Sequence, residues 1–203
     1  MSNPIRIKED FNHTIIIEKS KFICYIRKTL DEDSAKTFIN EIRKKHYNAT
    51  HVCTAYVIGN DIQKSNDDNE PSGTAGIPML TTIKNMNVVD VCVCVVRYFG
   101  GIKLGAGGLV RAYSNSVSET INLAPKVKME NYRFYEISFP YNLINKIEYL
   151  LSNNTVILDR NYDLDVTFKF RCLDDSIEKD IQMLTNGQYL AKFIEEKEIE
   201  INI

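Results

Sequence analysis

Hydrophobic and polar positions change their period several times along the chain, and each change predicts an element. Residues 14–17 and 22–26 are short apolar runs of β type on either side of the polar stretch 18–21. Ala35, Phe38, Ile39 and Ile42 then recur at helical spacing, and Thr29 with Glu32 reads as a capping box ahead of them. A helix is therefore expected over residues 33–45. His51–Ile58 is a strand by its Val, Tyr and Thr content, closed by the turn signal Gly59-Asn60-Asp61. Residues 64–70 read as a polar loop and 71–76 as its continuation into a short helix ending near Ile83. Residues 88–96 form a buried central strand by their β-branched content. Residues 109–123 place Val110, Tyr113, Val117 and Ile121 on one helical face, and Pro125 ends that helix.

Past Lys126 the rhythm is strand (132–139), helix (140–151), strands (155–159 and 165–172), a helix from Asp174 and a strand over 198–203. Pro140 is tolerated in a first helical turn, and Asn186-Gly187 supplies a helix stop. The order βαββαβ predicts a ferredoxin-like unit. The chain is thus expected to be α+β with two domains, residues 1–125 and 126–203, a division that 203 residues accommodate.

Composition narrows the class. With 44% hydrophobic and 26% charged residues, collagen-like, disordered and coiled-coil readings are excluded. The longest apolar run, 91–96, falls far short of the ~18 residues of a membrane span, and residues 1–11 contain no signal-peptide hydrophobic region. A soluble, cytoplasmic protein without a membrane partner is expected. Five cysteines, an odd number without paired spacing, suit reduced thiols. Cys92 and Cys94 share a strand face, yet no second close pair completes a zinc site, so no metal site is assigned.

Charge and glycine are both unevenly placed. The net charge is −2, but residues 1–125 carry 15 basic and 13 acidic side chains against 10 and 14 in residues 126–203. Between Arg97 and Arg111 stand Arg97, Lys103 and Arg111 with no carboxylate among them, and seven of the nine glycines lie between Gly73 and Gly108. Strand, glycine loop and helix start would converge free amides and a helix dipole where Gly105, Gly107 and Gly108 admit an anion. Phosphate or carboxylate suits such a place. The named phosphate motifs do not fit: Val110 stands where the dinucleotide fingerprint closes on glycine, and Ala106 where a P-loop needs lysine. Glycines serving tight turns and packing explain the cluster equally well. Asp67, Asp68 and Glu70 could hold a magnesium ion, orient a basic side chain or form a solvated acidic loop. Folded against the glycine loop, these carboxylates would meet Arg97, Lys103 or Arg111 in one cleft, with Ser72, Thr74 and Tyr98 beside them. His51 and Cys53 lie two apart on one strand face, but His51 fits better as an oriented structural histidine, and no catalytic residue is assigned.

Two long motifs carry a resemblance. Asp67-Asp68-Asn69-Glu70-Pro71-Ser72-Gly73-Thr74-Ala75-Gly76-Ile77-Pro78 and Arg97-Tyr98-Phe99-Gly100-Gly101-Ile102-Lys103-Leu104-Gly105-Ala106-Gly107-Gly108-Leu109-Val110-Arg111, with Ser20-Lys21-Phe22-Ile23 and Ala49-Thr50-His51, resemble the YigZ/IMPACT family in its bacterial two-domain form, without an RWD domain. Asn69 stands where the family pattern has glycine, and Thr54 where an aromatic residue is common; asparagine also visits positive φ. The resemblance implies a ribosomal-protein-S-five-like α/β domain, related to domains of elongation factor G and GHMP kinases, followed by a ferredoxin-like domain similar to those of elongation factor G. It also implies a translation-linked regulatory protein that binds RNA, the ribosome, a translation factor or a ribosomal protein, with no cofactor. Arg97, Lys103, Gly105, Gly107, Gly108 and Arg111 would then contact phosphate, and the C-terminal domain would dock a partner. The alternative is a magnesium-dependent enzyme acting on a nucleotide or another phosphorylated small molecule.

Overall fold

The computed structural model describes residues 3–203. The chain divides into two compact units, one running to Lys128 and including Asn202–Ile203, the other Met129–Ile201. Both are α+β.

The first unit contains β1 (Ile5–Ile7), β2 (Phe11–Ile17), β3 (Ser20–Lys28), α1 (Glu32–Lys45), β4 (His51–Ile58), β5 (Ile62–Asn66), α2 (Gly76–Asn85), β6 (Val91–Tyr98) and α3 (Gly105–Leu123). Its sheet runs β2-β3-β6-β4-β5, and every neighbouring pair is antiparallel. Buried on both faces, β6 alternates between two cores. Val91, Val93 and Val95 join Met79, Ile83, Tyr113 and Val117 of α2 and α3, while Cys92, Cys94 and Val96 join Ala35, Phe38 and Ile42 of α1. The amphipathic spacing that predicts α1 is the spacing that buries those three residues.

Several boundaries differ from expectation for physical reasons. The α1 cap is Asp31, whose carboxylate accepts from the Ser34 N–H, while Thr29 is buried outside the helix. The first three residues of the expected polar loop belong to β5, an edge strand with almost no buried side chain and hence no alternation to betray it. β6 starts three residues later than expected because Asn87 and Asp90 take positive φ. α3 begins at Gly105, four residues before the apolar periodicity, because its first turn is glycine-rich and propensity argues against helix there. β1, absent from the sequence reading, pairs antiparallel with residues 126–128.

The second unit continues β7 (Lys126–Phe139) through a short 3-10 turn (Tyr141–Leu143) into α4 (Ile144–Leu151), β8 (Thr155–Tyr162), β9 (Val166–Cys172), α5 (Ser176–Leu184) and β10 (Lys192–Asn202). β7 lies between β10 and β9, and β8 takes the far edge, the strand order of the ferredoxin-like βαββαβ fold. α5 starts two residues later and β10 six residues earlier than expected; β10 is mostly exposed and highly charged, so its pattern is not hydrophobic. Phe139, Phe168, Phe170, Ile147 and Ile181 form this unit's own core, with Phe139 and Phe168 edge to face at 5.0 Å. Among the described residues no helix is long and apolar enough to cross a membrane. All five cysteines are buried and none is in a disulfide.

Candidate functional site

The site begins with a row across the three central strands. Register places Phe22 of β3 and His51 of β4 on either side of Arg97 of β6. The two-residue period that puts Val95 on the α2/α3 face puts Arg97 there too, only 5% exposed. A guanidinium so far from water requires an ionised partner, and Glu70 supplies it: Arg97 Nη1 donates to Glu70 Oε1 at 2.6 Å. The Tyr113 hydroxyl of α3 donates to the same oxygen at 2.7 Å. Burial raises the Tyr113 hydroxyl far above its ordinary value, so it stays a donor. The Phe22 and Phe99 rings each lie 5.5 Å from the guanidinium carbon.

His51 and Cys53 flank this pair. His51 Nδ1 lies 2.8 Å from the Asp68 carbonyl; because a carbonyl only accepts, Nδ1 carries the proton, and Nε2 stands 3.7 Å from Glu70 Oε2. The Cys53 thiol contacts the Asp67 carbonyl at 3.0 Å and the Tyr113 hydroxyl at 3.3 Å, and burial pushes it up to about 12. A thiol held there is a packing and hydrogen-bonding group with negligible thiolate character.

Of the acidic triplet only Glu70 turns inward. Asp67 accepts from the N–H groups of Gly73 (2.9 Å), Ala75 (3.0 Å) and Gly76 (2.7 Å), capping α2, whose own cap residue offers no side-chain bond. Burial would raise its carboxyl, but those amides outweigh burial and hold it below the usual range. Asp68 accepts from the Val52 N–H at 2.7 Å and from Arg43 at 3.2 Å. Asn69, at φ 66°, takes a left-handed backbone that asparagine tolerates. The three carboxylates point three ways, and no group of three or more His, Cys, Asp or Glu suited to a metal ion exists among the described residues.

Two neighbouring concavities open beside the network. One, of about 370 Å³, is lined by His51, Glu70, Arg97, Phe99, Leu104 and Gly105, among others. The second, of about 470 Å³, is lined by Glu18, Ile102, Lys103, Gly108, Arg111 and Asn115, among others. Lys103 and Leu104 line both. The structure therefore brings Glu70, Arg97, Lys103 and Gly105 together, puts Gly108 and Arg111 around the corner, and leaves Gly107 exposed with open space where a side chain would be. Asp67, Asp68, Ser72, Thr74 and Tyr98 line neither concavity. Ser72 is exposed, the Thr74 hydroxyl donates to the Pro71 carbonyl at 2.6 Å, and Tyr98 points to the α1 side, where it meets His46. The first turn of α3 has no side-chain cap and no acidic residue.

The loop between β6 and α3 is pinned from outside. A Cβ on Gly100 would sit 2.0 Å from the Lys19 carbonyl carbon, so only glycine fits against the β2–β3 turn, and the Gly100 N–H donates to Ser20 Oγ at 3.1 Å. The cleft expected between the acidic triplet and the cations forms through Arg97 and Glu70 alone, while Phe99, Leu104 and Tyr113 join the site without having been singled out from the sequence. The signal available was the period of β6, which places a cation on a buried face and so demands a carboxylate.

Comparison with known proteins adds descent to this geometry. Residues 18–121 match the Impact N-terminal domain, and residues 137–188 match a domain of unknown function (DUF1949). The chain is 50% identical over 166 residues to the IMPACT family member YvyE of Bacillus subtilis (strain 168), covering 80% of this chain and 76% of that protein. It is 33% identical over 188 residues to an IMPACT family member of Haemophilus influenzae, covering 88% and 91%. A crystal structure of a hypothetical protein, 29% identical, superposes with a TM-score of 0.61 over 97% of this chain and 100% of that one. On the matched domain and on relatives that align along most of its length, the chain belongs to the IMPACT family.

Proposed function

We propose that the protein is a translation-linked regulator that binds RNA, or the ribosome through its RNA, at the paired concavities beside α3. The observation that carries this reading is the uncapped first turn of α3 opening between Lys103 and Arg111, with no acidic residue in that turn. The Glu70 charge does not oppose an anion there, because Arg97 already neutralises it. Support for the translation link is membership of the IMPACT family, for which the resemblance implies that role. A translation factor or ribosomal protein is the further partner, docked by the second unit. The magnesium-dependent enzyme has less behind it, since Asp67 and Asp68 are committed to backbone amides and Arg43.

Co-sedimentation of the full chain with ribosomes at low and moderate salt tests the reading. Sedimentation that falls with salt and with the double variant Lys103→Ala, Arg111→Ala is the expected result. Sedimentation indifferent to both refutes the site, and stabilisation by a nucleotide only in the presence of magnesium brings back the enzyme.

A further inference from the structure

The two concavities share a wall but not a chemistry, and that division identifies the form of nucleic acid that fits. Around Phe99 the lining adds Pro71, Leu104, Ala106 and Leu109 to the Arg97–Glu70 pair, and the volume of about 370 Å³ is at the small end of ligand sites, enough for one planar group and its sugar. Past Lys103 the lining becomes polar, with Arg111, Asn115 and the backbone of Gly108. Phe99 is 47% exposed, yet it is not a loose side chain's anchor: its N–H donates to Thr50 Oγ1 at 3.0 Å, and the Arg97 guanidinium lies 5.5 Å from its ring. A ring held in this way beside a cationic groove is a stacking platform. Arg97, nine-tenths buried and lining the same concavity, has a guanidinium Nε with no hydrogen-bond partner among the described residues.

Resting on the RNA-binding reading above, we infer that the ligand is single-stranded RNA, with one unstacked base inserted against Phe99 while the adjoining phosphates pass Lys103 to Arg111. The base brings ring nitrogens and carbonyls, acceptors of the kind that Arg97 Nε lacks while Nη1 stays on Glu70. A duplex cannot make this arrangement, because its bases remain paired and stacked behind the backbone and only its phosphates reach Lys103 and Arg111.

The test is fluorescence anisotropy of the full chain with an end-labelled short oligoadenylate, free and annealed to oligouridylate. The single strand is expected to bind about tenfold or more tightly than the duplex. Phe99→Leu, which keeps apolar bulk but removes the ring, is expected to lose about tenfold on the single strand alone, and Phe99→Tyr to retain binding. Lys103→Ala with Arg111→Ala weakens both forms. Equal affinity for the two forms overturns base insertion, as does Phe99→Leu without effect while the double variant still weakens binding; the phosphate site then stands. If neither oligonucleotide binds, base insertion is overturned whatever the ribosome does, and if ribosomes also fail to carry the protein down, the RNA-binding reading falls with it.

Discussion

Arg97 and Glu70 show how one residue pair can be structural and still shape a binding surface. Both are almost wholly buried, and removing one leaves the other as an unpaired charge in an apolar setting. Glu70→Ala is therefore expected to lower stability by ~3–5 kcal/mol in urea titrations, and adding Arg97→Ala to recover part of that loss; additive losses would show that the two act independently. A second polar cluster sits on the α1 side. His46 Nδ1 lies 2.9 Å from the Tyr98 hydroxyl, and Nε2 lies 2.9 Å from the Tyr25 hydroxyl. Tyr98 also donates to Asn48 Oδ1 at 3.3 Å, which makes Nδ1 the donor to Tyr98 and Nε2 the acceptor from Tyr25. Burial first, then Lys45 and Lys21, lower the His46 pKa, so the unfolded chain binds its proton more readily than the folded one. The His46 contribution is present above about pH 6.5 and is lost as pH falls through the lowered folded value. Urea midpoints of the wild type should decline across that window more than those of His46→Asn; parallel declines would remove His46 as the cause.

Elements meet the site through their ends, and so do the substitutions that should disturb it. Asp67→Ala leaves three amides at the start of α2 without an acceptor and is expected to cost ~1–2 kcal/mol. With the folded pKa depressed, the Asp67 contribution is complete above the unfolded value of about 4 and disappears as pH falls below it. The stability difference between wild type and variant should therefore shrink in acid. Gly100→Ala forces the β6–α3 loop off the Lys19 carbonyl and is expected to cost ~1–3 kcal/mol and to weaken RNA binding at the same time. Elements with a buried face were legible in the sequence: His51–Ile58 has the bounds its pattern predicts, and α1 differs by one residue. Elements without one were not, as with the exposed edge strand β5 and the charged first half of β10. The same physics governs the site. Glycine and charge pointed to Lys103, Gly105 and Arg111, but a two-residue period forbids Arg97 and Tyr98 from sharing a face, and Tyr98 belongs with His46. That Asp67 and Asp68 bind backbone amides was not readable, because the amides of Val52, Gly73, Ala75 and Gly76 reach them only after folding.

Across the whole molecule the two units keep separate cores and opposite charge, with the acidic excess lying in residues 126–203. A chain of net charge −2 has no long-range field with which to hold nucleic acid, so binding has to come from the few cations placed at the α3 end. Those lining the shared concavities without a buried carboxylate partner are Lys103 and Arg111, and Glu18 on the second wall opposes them. Counterion release at ~0.7 per single-strand phosphate contact then gives a slope of about −1.4 for log affinity against log salt. Lys103→Ala should bring the slope to about −0.7, and Glu18→Gln should tighten binding at low salt by removing the opposing charge. Anisotropy titrations over a salt series measure all three. A wild-type slope steeper than about −3 would mean that cations elsewhere carry the contact. The docking surface for RNA would then have to be sought away from α3, and the glycine-rich loop would be left with the role of fixing the Arg97–Glu70 pair and the start of the helix.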